Sequence, residues 1–404
     1  MLIIIATLII ALLLQTTRLG RRAAEAPGLC LAIGISAALF VSAFSEGGIR
    51  DQVASSLAAM GLAALGFASA AQLRVSRLSR YCPSSFRLTF GGAPIYFIAC
   101  SLAALVMLPG FSLTAALLLG ATLTLNGAAF DRKAVINAPA PATIKAAVRY
   151  ESAAIIALGL PLALLCLACA TAPGPNEPTS GPIMRKSLDT LIGFSAGGVV
   201  GLVAAHLAAL YRRRTMQRKS IDTGLALMAG AAAFTFGPMV GGEPIVAATA
   251  AGLLWGEQTN AASPTRLRIR QFAEQSVTPL AYLGFGCLVA PRLFQADLLS
   301  IVFAIAAVTI LRVGPRLIVL NTPSLPKESQ AFLAWFGGAP GAASALFTIY
   351  LIGQPALTNP DGVLTVASLA VVGGVISARL TSRPLVNAYL RRNAVAKRRR
   401  AYAI

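Results

Sequence analysis

Apolar residues in this chain fall in long unbroken runs separated by short polar stretches, without the alternation of β-barrel strands. Runs of about 17–25 residues match the thickness of a bilayer crossed by a helix. They predict about thirteen spans, near 1–17, 28–44, 52–72, 87–108, 112–130, 149–172, 188–211, 221–238, 243–257, 271–290, 296–320, 328–352 and 362–382. The predicted fold class is therefore an all-α polytopic membrane protein with no soluble domain left over. The first segment, MLIIIATLIIALLLQTT, has no basic n-region and no convincing cleavage site, so it reads as an uncleaved first span.

Composition agrees. The chain is 56% hydrophobic and 12% charged, against the 25% or so of charged residues usual in a soluble domain. Gly and Ala are plentiful and aromatics are 7%, which suits helices that approach through small-residue faces. The net charge of +20 does not predict nucleic-acid binding, because its placement has a topological cause. Odd-numbered connections carry Arg18, Arg21, Arg22, Arg74, Arg77, Arg80, Arg87, Arg132, Lys133 and Lys145 in the first half of the chain. In the second half they carry Arg212, Arg213, Arg214, Arg218, Lys219, Arg266, Arg268, Arg270, Lys327 and the C-terminal cluster. Even-numbered connections hold only Arg50, Arg185, Lys186 and Arg292. Positive-inside topology then puts the N-terminus outside and the C-terminus in the cytoplasm of a bacterial-type inner membrane.

Two predicted spans look interrupted. Gly120 to Phe130 carries Thr122, Thr124, Asn126 and Gly127 within an apolar run. Trp335 to Ser344 carries Gly337, Gly338, Pro340 and Gly341. These are spans five and twelve, which correspond if spans 1–6 and 8–13 form two inverted six-helix repeats. Paired discontinuous helices point to a midplane site where the broken segments cross, and irregular backbone at that depth must be buried in protein or line a cavity. The predicted organisation is a transmembrane domain over 1–386, with repeat one at about 1–172, a linker helix at about 188–211 and repeat two at about 221–382. A basic cytoplasmic tail follows at 387–404.

Glu151 stands at the head of a long apolar run, in Arg149-Tyr150-Glu151-Ser152-Ala153-Ala154-Ile155-Ile156. An intramembrane carboxylate marks a pathway or a structural ion pair. Asp131, Asp222, Glu243, Glu257 and Glu274 fall near predicted span ends and read as solvated or helix-terminal charges. His206, the one histidine, reads as a packing or lipid-facing residue, and Cys166-x-x-Cys169 as packing within a helix. Neither a phosphate-binding loop, a metal-spaced His/Cys cluster nor a nucleophile elbow occurs in the chain. The chain is thus read as a transporter, not an enzyme, with no cofactor.

Several segments then resemble, in order and spacing, one known family. They are Arg18-Leu19 through Pro27 and Gly34; Gly66-Phe67 to Leu73-Arg74; Gly120 to Gly127; Glu151-Ser152; and Ala250 to Gly256. Leu311-Arg312 to Arg316, Glu328 to Gly337 and Gly341 to Ser344 continue the series. Together they resemble the sodium/proton exchanger branch of the monovalent cation:proton antiporters. The resemblance implies a homodimer in the lipid bilayer that exchanges a monovalent cation for protons by alternating access. It also implies that the family's Asn-Asp pair has become Ile155 and Ile156, and the Asp of its Thr-Asp-Pro crossover Asn126. The Arg of its span-twelve motif falls at Ala339 or Pro340. What it retains is Glu151 with Arg312 or Arg316, which that family uses as a buried ion pair.

Isoleucine binds neither a proton nor a cation. The expected ion pathway is accordingly non-standard, with Thr122, Thr124, Asn126, Glu151, Ser152, Ile155 and Ile156 along it. Glu151 is either a scaffold partner of Arg312 or Arg316, or the group that took over proton and cation binding with neutral oxygens around it. Two other classes stay open: a non-exchanging protein of this fold that binds a ligand or partner, and a transporter of another solute such as an anion.

Overall fold

The computed structural model describes residues 27–41, 48–74, 76, 83–126, 141–171, 180–214, 219–259, 264–323, 325–354, 357 and 359–401. The predicted first span and Gly127, Asp131 and Cys82 lie outside these residues. Among the described residues the regular elements are all helical.

From the second predicted span onward, each has a helix or a helix pair in its place. These are α1 (Pro27–Val41), α2 (Gly48–Ala70), α3 (Pro83–Arg87) running through a π-helical turn into α4 (Ala93–Met107), α5 (Leu113–Thr124) and α6 (Ala142–Ala170). Then come α7 (Ser180–Arg214), α8 (Lys219–Met239), α9 (Pro244–Gln258), and α10 (Pro264–Phe272) running through a second π-helical turn into α11 (Thr278–Leu293). The last are α12 (Leu298–Val308), α13 (Ile310–Leu320), α14 (Lys327–Phe336), α15 (Ala342–Ile352) and α16 (Pro360–Ala401). Six stretches are long and apolar enough to cross a bilayer unaided: 51–70, 83–107, 142–170, 183–211, 298–320 and 360–381. Gly28–Ala38, Leu113–Thr124 and Ala342–Ile352 are shorter apolar helices.

Two boundaries matter for the site. Helix α6 starts at Ala142, seven residues before the predicted span, so Glu151 lies about 14 Å along the helix rather than at its head. Helix α16 continues past the predicted span to Ala401. Val386 and Tyr389 on it are buried, Tyr389 stacks on Phe332 with ring centroids 4.5 Å apart, and its hydroxyl lies 3.0 Å from Ser329 Oγ. The start of the basic segment is therefore packed against α14, because its apolar side covers a face that the broken helix would otherwise expose.

Helix α1 packs along α11 and α2 along α9. Large apolar side chains such as Val106, Met184, Leu191 and Ile318 face outward, as hydrocarbon rather than water requires.

Helix α7 meets α9 through small residues. A Cβ at Gly197 would sit 1.9 Å from the carbonyl oxygen of Ala247, and one at Gly201 would sit 2.3 Å from that of Ala251. This is a GxxxG contact of backbone on backbone. Gly197→Ala is expected to destabilise the protein by roughly 3 kcal/mol or more, since no rotamer can relieve a backbone clash. Gly224→Ala, where no atom lies within 4 Å of the added carbon, is the matched control. Thermal unfolding in detergent would compare them, and equal melting points would refute the close approach.

Candidate functional site

The two interrupted spans meet. Helix α5 stops at Thr124, and Leu125 is extended. Helix α14 stops at Phe336, Gly337 is extended, Gly338 takes φ +68°, and α15 starts at Ala342. Between the two breaks Asn126 and Pro340 pair as an isolated antiparallel bridge, and the Ser344 hydroxyl donates to the carbonyl of Leu125. Part of the backbone freed at each break is thus met by the other broken segment, which is one way non-helical backbone survives at membrane depth.

Glu151 reaches this crossover from α6 and is fully buried. Arg316, from α13, grips it bidentately: Nη1 donates to Oε1, and Nη2 to Oε2 at 2.9 Å. The same guanidinium donates from Nε to the Ala334 carbonyl at 3.0 Å and from Nη2 to the Leu333 carbonyl at 3.0 Å. Arg316 therefore binds a carboxylate and caps the C-terminus of α14, whose last carbonyls carry the negative end of the helix dipole. Gly337 makes room for it, since a Cβ there would lie 1.3 Å from Nη2 and 2.7 Å from Glu151 Oε2. Arg312 takes another place, buried with its guanidinium carbon 5.3 Å from the ring centroid of Trp335.

The other residues expected along the pathway divide. Thr122 and Thr124 are buried, and their hydroxyls donate to the carbonyls of Leu118 and Gly120, each at 2.8 Å, leaving oxygen lone pairs as acceptors. Asn126 is completely buried, and neither side-chain atom has a hydrogen-bond partner. Ile155 and Ile156 are buried. Among the described residues the buried acidic side chains are Glu151, Asp222 and Glu243. Glu243 is held by Lys186 at the start of α9, and Asp222 sits in the first turn of α8, so Glu151 is the carboxylate of the crossover.

The sequence profile described as "Sodium/hydrogen exchanger, transmembrane" matches residues 3–387. The chain belongs to that family. Two solved structures show the fold, both of the sodium proton antiporter MjNhaP1 from Methanocaldococcus jannaschii. The one at pH 8 is 16% identical with TM-score 0.68, covering 90% of this chain and 92% of that one. The electron-microscopy structure is 14% identical with TM-score 0.58, covering 89% and 90%. No curated protein matches.

Beside the crossover this exchanger-family chain has a cavity of about 610 Å³. Ser69 of α2 and Gln72 in the turn after it, Lys145, Arg149, Tyr150, Ser152 and Ile156 of α6, and Arg266, Arg270 and Glu274 from α10 and the turn after it all line it. Ser152 and Ile156 join the cavity to the crossover helix, while Ile155 is not in its wall. The sequence reading did not single out Ser344, Gln72 or Arg149. The four-residue spacing of Lys145 and Arg149, repeated by Arg266 and Arg270, was the available signal, since it puts each pair on one helix face. His206 lies exposed on α7, and Cys166 and Cys169 are unbridged.

Proposed function

We propose that this chain is a secondary transporter that exchanges a monovalent cation, Na⁺ or K⁺, for protons by alternating access through a site that differs from the family's usual one. The observation that carries this reading is the one buried carboxylate at the crossover among the described residues, Glu151, paired with Arg316 of α13. Exchange chemistry needs a negative charge that one positive partner can surrender to another. With Ile155 and Ile156 unable to serve, Glu151 supplies that charge and Arg316 is its internal counter-ion. When Arg316 withdraws during the access change, a proton or a cation takes its place, and the oxygens of Thr122, Thr124, Asn126 and Ser152 complete the cation's shell. The working unit is a homodimer in a bacterial-type inner membrane with its C-terminus cytoplasmic, and the repeat boundaries stay as given above.

Proteoliposomes carrying a pH-sensitive dye test this. Imposed Na⁺, K⁺ or Li⁺ gradients are expected to move protons, and Glu151→Gln to reduce that flux by roughly two orders of magnitude while the protein still elutes as a folded particle. A wild-type protein that moves no protons between mildly acidic and mildly alkaline pH sinks the reading.

One observation favours a second reading, a non-exchanging protein of this fold: buried isoleucines fill the positions of the family's Asn-Asp pair. Exchange gained by Ile156→Asp over an inactive wild type would mark an intact pathway without its carboxylate.

A further inference from the structure

The cavity beside the crossover has the wrong sign of charge for a cation. Lys145, Arg149, Arg266 and Arg270 line it against one carboxylate, Glu274. Arg270 faces that carboxylate at 3.4 Å. Arg266 is spent on capping α9: it donates to the carbonyls of Gly256 and Thr259, and to that of Gln72. Burial first, and then the charge of Arg74, which donates to the same Thr259 carbonyl, push the pKa of Arg266 down to about 10.

Lys145 and Arg149 are left over. Among the described residues neither side chain makes a hydrogen bond or an ion pair, and the Arg149 Nε is buried without a partner. They stand one turn apart on α6, in line with Ser152 and Ile156, and Arg270 faces them across the cavity. Two cations with no side-chain partner among the described residues, converging on one half-open cavity, repel each other and raise the local potential, which favours an anion there. Gln72, Ser69, Ser152 and Tyr150 add neutral polar groups to the wall. The volume falls within the usual range for a small-molecule site. A guanidinium beside an ammonium and side-chain hydroxyls is the donor set that binds phosphate and carboxylate oxygens.

We propose that this vestibule is an oxyanion-binding site, in which Lys145 and Arg149, with Arg270, hold a phosphate or carboxylate group. That group belongs either to a free anion or to an anionic lipid headgroup. The site stands whether or not the chain exchanges ions, and a bound anion would cancel the field that any cation entering by this route must cross.

The test uses binding, not transport. Radiolabelled inorganic phosphate and citrate are titrated onto the full chain in neutral detergent at constant ionic strength. In parallel, melting points are compared in nanodiscs of phosphatidylcholine with and without phosphatidylglycerol. If the source is a free anion, binding saturates and Arg149→Gln weakens it by about tenfold or more, with Lys145→Gln acting in the same direction. If the source is a lipid, free anions do not bind, but phosphatidylglycerol raises the melting point and Arg149→Gln removes that rise. Arg391→Gln, on the far end of α16, should leave both readouts unchanged. Should Arg149→Gln fail to fold, Lys145→Gln and Arg270→Gln decide by the same criteria. The proposal is overturned if neither probe acts on the wild type, or if its effect is the same in the vestibule variants as in Arg391→Gln.

Discussion

Arg316→Met is expected to destabilise the protein by about 3–5 kcal/mol, the usual consequence of removing one side of a buried ion pair. Two losses combine. Glu151, with no solvent exposure, loses its counter-ion, and the Leu333 and Ala334 carbonyls lose the donor that caps α14. Glu151→Gln should be milder, because the guanidinium retains both carbonyls and can still bond to the amide oxygen. The double variant Glu151→Gln with Arg316→Met should recover part of the loss, since it leaves no unpaired buried charge. Denaturant titration of detergent-solubilised protein measures all three. A value for Arg316→Met within about 1 kcal/mol of wild type would mean the pair holds nothing together.

Gly337→Ala should have an effect of the same order by a different route. The added methyl occupies the place of Arg316 Nη2, 1.3 Å away. A guanidinium end can usually swing aside, but here swinging aside breaks its bonds to Glu151 and Leu333 together. The alanine variant should therefore lose about 2–4 kcal/mol, in the range of broken buried networks. Its diagnostic is non-additivity: in the Arg316→Met background, Gly337→Ala should change stability by less than about 1 kcal/mol. Full additivity would show that glycine is needed at 337 for backbone reasons alone. Gly338 differs, because its φ of +68° penalises alanine whatever side chain stands at 316.

Much of the architecture was legible along the chain, for reasons of scale. A bilayer demands runs of a set length, so span positions could be counted, and glycine, proline and polar residues inside a run expose a break. Hence spans five and twelve were recognisable as interrupted, and Glu151 as an unusual charge. Span ends were less legible. Ala142 to Val148 is mostly apolar but contains Lys145, so a hydropathy reading starts the helix too late. The basic character of the C-terminal segment likewise hid Val386 and Tyr389, which pack on α14.

The sequence by itself determined that the chain is a polytopic helical membrane protein with two interrupted spans and an intramembrane carboxylate. These follow from local composition and run length. Tertiary structure alone decided that Arg316 rather than Arg312 holds Glu151. The two arginines stand four residues apart on α13, and their separate partners, the end of α14 and the ring of Trp335, exist only once α14 is docked. It alone brought Lys145, Arg149, Arg266 and Arg270 around one cavity, because Lys145 and Arg149 stand more than a hundred residues before Arg266 and Arg270 in sequence. Charge that looks like ordinary loop topology when read along the chain becomes a concentrated field once folding encloses it in a low-dielectric wall.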